Sequence, residues 1–141
     1  MSDDTSHQRF VDAQDDSRTY ERALEELRAG RKRSHWMWFV FPQVAGLGRS
    51  GIAQHFALAD VAEARAYLAH PVLGPRLLTC VDALLEQPSS DAAHVLGGID
   101  AVKLRSSMTL FAAADPAEPR FRQVLDRFYG GVADEATTAR L

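Results

Sequence analysis

Apolar residues recur along this chain at helical spacing. Tyr20, Ala23, Leu24 and Leu27 stand at i, i+3, i+4 and i+7 with charges between them. Gly30 follows as a C-terminal stop. The spacing predicts a helix from about Ser17 to Ala29, with a shorter one before it around His7 to Gln14. Asp60-Val61-Ala62-Glu63 has the form of a capping box and opens a helix ending near Ala69, which Pro71 cannot continue. Leu73, Leu77, Leu78, Val81, Leu84 and Leu85 mark the next helix, which stops before Pro88. Its apolar stripe is broad, so it is the candidate central helix. Ile99-Asp100 reads as another start, with Asp100 as cap and Ile99 stapled to Leu104. Asp115-Pro116-Ala117-Glu118 reads as a start with proline at the first helical position. Phe121, Val124, Leu125 and Phe128 carry that helix's core face, and Gly130 ends it. A last short helix is expected from Asp134.

One stretch lacks this period. Trp36-Met37-Trp38-Phe39-Val40-Phe41 is apolar at six successive positions. By propensity it suits a buried strand. Few other segments offer a strand partner, Phe56-Ala57-Leu58 being the exception, so a short buried helix capped by Ser34 is preferred. Gln43 to Gly51 holds three glycines and reads as a loop. The expected fold is mainly α: a single-domain bundle of about six to eight short helices with little or no β. Residues 1–8 are expected to form a flexible tail and residues 9–141 the domain.

Composition narrows the function classes. With 46% hydrophobic and 25% charged residues, the chain is neither disordered nor membrane-like. A net charge of −3 argues against a general nucleic-acid coat. The single cysteine, Cys80, permits no internal disulfide and fits a reducing compartment. It lies in an apolar run, where a buried small hydrophobe is a better reading than a nucleophile. The first sixteen residues lack the basic and apolar regions of a signal peptide, and no run is long enough to span a bilayer. A cytoplasmic location is expected.

Three segments are distinctive: Gly30-Arg-Lys-Arg-Ser-His-Trp-Met-Trp-Phe-Val-Phe-Pro-Gln43, Glu63 to Leu77, and Asp100-Ala-Val-Lys-Leu-Arg-Ser-Ser-Met-Thr-Leu-Phe111. Together they resemble the DUF1810 family, a bacterial domain of unknown function, over about Phe10 to Thr138. The resemblance implies a mostly helical single domain and supplies no activity. The positions matching the family pattern include Lys32, Ser34, His35, Trp36, Trp38, Phe41, Pro42, Gln43, His70, Asp100, Lys103, Ser106, Ser107 and Thr109. The Pro71–Glu86 layout is also similar to the NADAR family of ADP-ribose-related N-glycosidases, which suggests a ligand class to test.

The chemistry of these residues leaves two readings for each. Trp36 and Trp38 pack a core or stack a base; a buried indole N–H needs a partner either way. His35 acts as a general acid or base, or bonds a helix end. Lys32 belongs to an electropositive rim or to a surface. Helical spacing brings Asp100, Lys103 and Ser107 onto one face, either to bind phosphate or as a cap, an ion pair and a backbone-bonded hydroxyl. The candidate site is a pocket between residues 32–43 and 100–109 for an anionic, nucleotide-like or ADP-ribose-like molecule. His35 and Asp100 are its candidate catalytic pair. Lys32, Trp36, Trp38, Gln43, Lys103, Ser106 and Ser107 are its candidate ligand-binding residues, with Arg105 beside them. No cofactor, metal or membrane is called for. Whether turnover occurs stays open, and the competing reading is a non-catalytic, protein-binding or self-associating helical domain.

Overall fold

The computed structural model describes residues 4–141, with side chains from His7 onward. The helices are α1 (Asp4–Asp15), α2 (Thr19–Ala29), α3 (Met37–Val40), α4 (Gly51–His55), α5 (Val61–Ala69), α6 (Leu73–Leu85), α7 (Ala92–Leu96), α8 (Gly98–Ala114), α9 (Pro119–Tyr129) and α10 (Glu135–Thr138). Six of them carry the architecture; α3, α4 and α7 are short helices between them, and α10 follows α9. Among the described residues there is no sheet. Val44 and Leu58 form one isolated parallel bridge, with Leu58 N–H donating to Gln43 O at 2.9 Å and Ala45 N–H to Leu58 O at 2.7 Å. Of the Phe56–Leu58 segment, considered above as a strand, only Leu58 pairs; Phe56 (φ −100°, ψ 6°) closes the end of α4. Among the described residues no single helix is long and apolar enough to cross a membrane; α5 and α6 meet at a 92° bend.

Residues 1–3 of the expected tail lie outside the described residues. Residues 4–8 open α1 instead, and His7 is buried against the rings of Phe10 and Tyr67. At the α1–α2 junction, Ser17 and Arg18 take left-handed backbone conformations (φ 52° and 58°), so the two helices stay separate.

Several ends follow the sequence. Asp60 Oδ1 accepts from Glu63 N–H at 2.9 Å and Asp134 Oδ2 from Thr137 N–H at 3.0 Å. Gly30 ends α2 at φ 78°, where a Cβ would stand 2.5 Å from Gln87 Oε1. Three ends differ. α3 is a helix, as preferred, but Trp36 precedes it without a side-chain cap, because the Ser34 hydroxyl is drawn to Glu26. α8 starts at Gly98, after Gly97 at φ 89°, so Asp100 lies inside the first turn and Ile99 is 77% exposed rather than stapled. α9 starts at Pro119, with Glu118 rather than Asp115 as its cap.

α8 is the central element, packed by α5, α7, α9 and α10. Residues 106–111 are buried at six successive positions, which erases the one-sided pattern that pointed to α6 as the centre. α6 joins α2, α5 and α9, burying Leu73, Leu77, Cys80, Val81 and Leu84. An aromatic line crosses the core: Phe10 to Tyr67 (5.2 Å between centroids), Tyr67 to Phe111 (5.5 Å) and Phe111 to Phe121 (5.6 Å). Edge-to-face and offset contacts of this kind add to the burial of each ring.

Candidate functional site

The site is organised by Glu26, a residue the sequence did not single out. It lies on the buried stripe of α2 with Ala23 and Leu27. A buried carboxylate must be satisfied, and this one has four donors. Oε1 accepts from Arg33 N–H (2.8 Å), Ser34 N–H (3.0 Å) and Trp36 Nε1–H (2.9 Å), and Oε2 from Ser34 Oγ (2.6 Å). Burial pushes its pKa up, but the bonds from Ser34, Arg33 and Trp36 outweigh it and hold the group at about 2. The 31–36 segment is thereby wrapped around one charge. Lys32 N–H also bonds Val95 O at 2.7 Å, tying the segment to α7.

Exposure alternates along this ribbon. Arg31, Arg33 and His35 are exposed; Lys32 and Ser34 turn inward. The Lys32 side chain is 8% exposed, and its Nζ lies 2.8 Å from Asp100 Oδ2. Lys103 Nζ lies 3.5 Å from Asp100 Oδ1, one helical turn on. Each ammonium also sits over an indole: Lys32 at 5.1 Å from the Trp36 ring centroid, Lys103 at 4.6 Å from that of Trp38. Asp100, in the first turn of α8, has the helix's positive end beside it. The two distinctive segments thus meet through Lys32, Trp36, Trp38, Asp100 and Lys103, two cations sharing one carboxylate.

The other candidates separate. Trp36 is fully buried and its ring and N–H are spent on the core and Glu26, whereas Trp38 is half-buried. His35 is exposed and makes no hydrogen bond to Asp100. Gln43 offers its backbone oxygen to Leu58. Ser106 Oγ lies within donating distance of Asp134 Oδ2 (3.1 Å) and Val102 O (3.2 Å), which directs it to the α8–α10 junction. Thr109 joins it there, accepting from Asp134 N–H at 2.9 Å. Arg105 donates to Val132 O at 2.9 Å. Ser107 is fully buried, and among the described residues its Oγ has no hydrogen-bond partner. His70, a family-pattern position, accepts at Nδ1 from Val72 N–H (3.1 Å) and Leu73 N–H (3.3 Å), and so starts α6.

A second buried polar group also escaped the sequence. Gln14 Nε2 donates to Phe39 O (2.8 Å) and Tyr67 Oη (3.3 Å), while Gln14 Oε1 accepts from Arg76 (3.2 Å). It fixes α3 against α1 and α5. Its signal was a polar residue at the edge of the Phe10 face of α1. Among the described residues no group of three His, Cys, Asp or Glu side chains is placed to hold a metal ion. Four surface depressions of about 300 to 360 Å³ are lined by other residues, and none includes Lys32, Asp100 or Lys103. The Lys–Asp–Lys cluster is mostly covered, its side chains 8%, 18% and 22% exposed.

Comparison with known proteins agrees with the fold. The crystal structure of the conserved hypothetical protein Rv1873 from Mycobacterium tuberculosis is similar at a TM-score of 0.94 and 46% sequence identity, covering 99% of this chain and 98% of that one. None of the curated proteins matches the chain. The model of a family described as "protein of unknown function (DUF1810)" matches residues 4–141. On that match, spanning all three distinctive segments, the chain belongs to the DUF1810 family.

Proposed function

We propose that this domain binds an anionic, nucleotide-like small molecule at the partly exposed Lys103 and Trp38, with Asp100 and Lys32 behind them. The observation that carries the reading is the convergence of two lysines, from separate elements, on one carboxylate. Two positive charges and one negative leave a net positive centre beside a half-exposed indole. Lys103 contacts the anion, Trp38 stacks a base, and Lys32 with Asp100 braces the pair. Asp100 has an ammonium on each oxygen, which suits it to bracing rather than to taking a proton from substrate. Binding is therefore favoured over hydrolysis, and ADP-ribose is the first ligand to test.

A second reading is a protein-docking or self-associating domain. Ile99 (77% exposed) and Val102 (62%) favour it, since they lie on the same end of α8 as the cluster.

A thermal-shift comparison of ADP-ribose, NAD and ADP on the wild type and Lys103→Ala tests the first reading. A ligand at one hundred times its Kd adds about 2.7 kcal/mol to stability, several degrees for a domain of this size. A shift lost in Lys103→Ala supports the site. Equal shifts in both proteins sink it. A flat response with concentration-dependent self-association moves the weight to the second reading.

A further inference from the structure

On the other side of the 31–35 ribbon lies a shallow depression of about 300 Å³, lined by Arg22, Glu25, Glu26, Ala29, Arg31 and Arg33. Its α2 wall is one helical stripe, since positions 22, 25, 26 and 29 share a face. Its other wall is the ribbon, whose exposure alternation puts Arg31 and Arg33 on one side. Both arginines line this one depression.

Three observations set this depression apart from an ordinary charged surface. First, the side chains of Arg31 and Arg33 have no ion pair or hydrogen bond among the described residues, although Glu25 and Glu26 line the same depression. Second, the Glu26 carboxylate at its floor is fully engaged by Arg33 N–H, Ser34 and Trp36, so its bonding capacity is turned inward. Third, the backbone carrying both arginines is fixed at Arg31 N–H to Glu26 O (3.0 Å), Lys32 N–H to Val95 O (2.7 Å) and Arg33 N–H to Glu26 Oε1. Arg22 adds a third guanidinium, held to Ser17 O at 3.2 Å. The backbone under Arg31 and Arg33 is fixed, so only their side chains must be ordered on binding.

We propose that this depression binds a diphosphate group, free or as part of a nucleoside diphosphate. Each guanidinium presents a planar fork that matches two phosphoryl oxygens. Two forks side by side favour two linked phosphoryl groups over one. Glu25 and the ionised Glu26 at the floor are the opposing charges and limit affinity. The proposal is independent of the Lys103 face, because the ribbon lies between the two.

The test is calorimetric titration of the full chain at low salt with inorganic pyrophosphate, ADP and inorganic phosphate. Wild type, Arg31→Ala/Arg33→Ala, Glu25→Gln and Lys103→Ala are compared. Pyrophosphate is expected to bind more tightly than phosphate. It should weaken at least tenfold in the double arginine variant, tighten severalfold in Glu25→Gln, and lose less in Lys103→Ala than in the double arginine variant. Equal affinity for pyrophosphate and ADP points to the free diphosphate as sufficient, and tighter ADP to a nucleotide. Absence of pyrophosphate binding by the wild type overturns the proposal. So does a loss in Lys103→Ala with none in the arginine variant, which would place the anion on the other face. Both arginines are exposed, so an unchanged melting temperature is expected and separates lost binding from lost fold.

Discussion

The indole N–H of Trp36 donates to Glu26 Oε1 at 2.9 Å, with both residues buried. A charge in that position has a pH signature. The Glu26 carboxyl titrates at about 2 in the folded protein against an ordinary 4.5. A depressed folded pKa contributes stability that is fully present above the unfolded value and is lost as pH falls through the folded one. The size of the displacement corresponds to about 3 kcal/mol. Glu26→Gln is expected to cost about 2–3 kcal/mol at pH 7. The gap to wild type should narrow from about pH 5 downward and close only as pH falls through about 2. Urea unfolding across that range checks it; a gap independent of pH would show that the carboxylate's charge is not what stabilises the ribbon.

The two tryptophans should respond differently. Trp36→Phe removes volume from a fully buried site and one donor from Glu26, an expected loss of about 2–3 kcal/mol. Trp38→Phe keeps a ring under Lys103 and should cost within about 1 kcal/mol. Acrylamide should quench Trp38 emission and spare Trp36. Equal costs and equal quenching would contradict the assignment of one to the core and the other to the partly exposed position beside Lys103.

Ser106 and Ser107 are neighbours with opposite expectations. Ser106 reaches Asp134, and its replacement by alanine should lower stability by about 1 kcal/mol. The buried Ser107 hydroxyl has no partner among the described residues, so Ser107→Ala should be neutral or stabilising by up to about 1 kcal/mol. Denaturant midpoints decide it. A destabilised Ser107→Ala would mean that this hydroxyl is satisfied in solution.

Local signals in the sequence were legible where the residue that ends a helix lies beside it, as with Asp60, Asp134, Gly30 and Gly130. They misled where a distant partner won. Asp100 has the look of a cap, but Lys32, nearly seventy residues away in sequence, and Lys103 take its oxygens, while Gly97 supplies the turn. Ser34 has the same look, and Glu26 takes its hydroxyl. Spacing placed Asp100 and Lys103 together because both are on one helix. It had no means to place Lys32 against them, nor to mark Glu26 as buried, because a glutamate within a charged helix reads as solvated. Its place between Ala23 and Leu27 was the available signal.

The lone cysteine gives the molecule an internal clock. Cys80 is fully buried on α6, and burial raises its thiol pKa to about 12 despite Arg28 and Arg76. Thiolate chemistry is closed to it while the helices stay packed. Each alkylation event therefore counts an opening of the bundle. The labelling rate of this one atom by a thiol-directed alkylating reagent, followed over time, reports how often α6 parts from its neighbours.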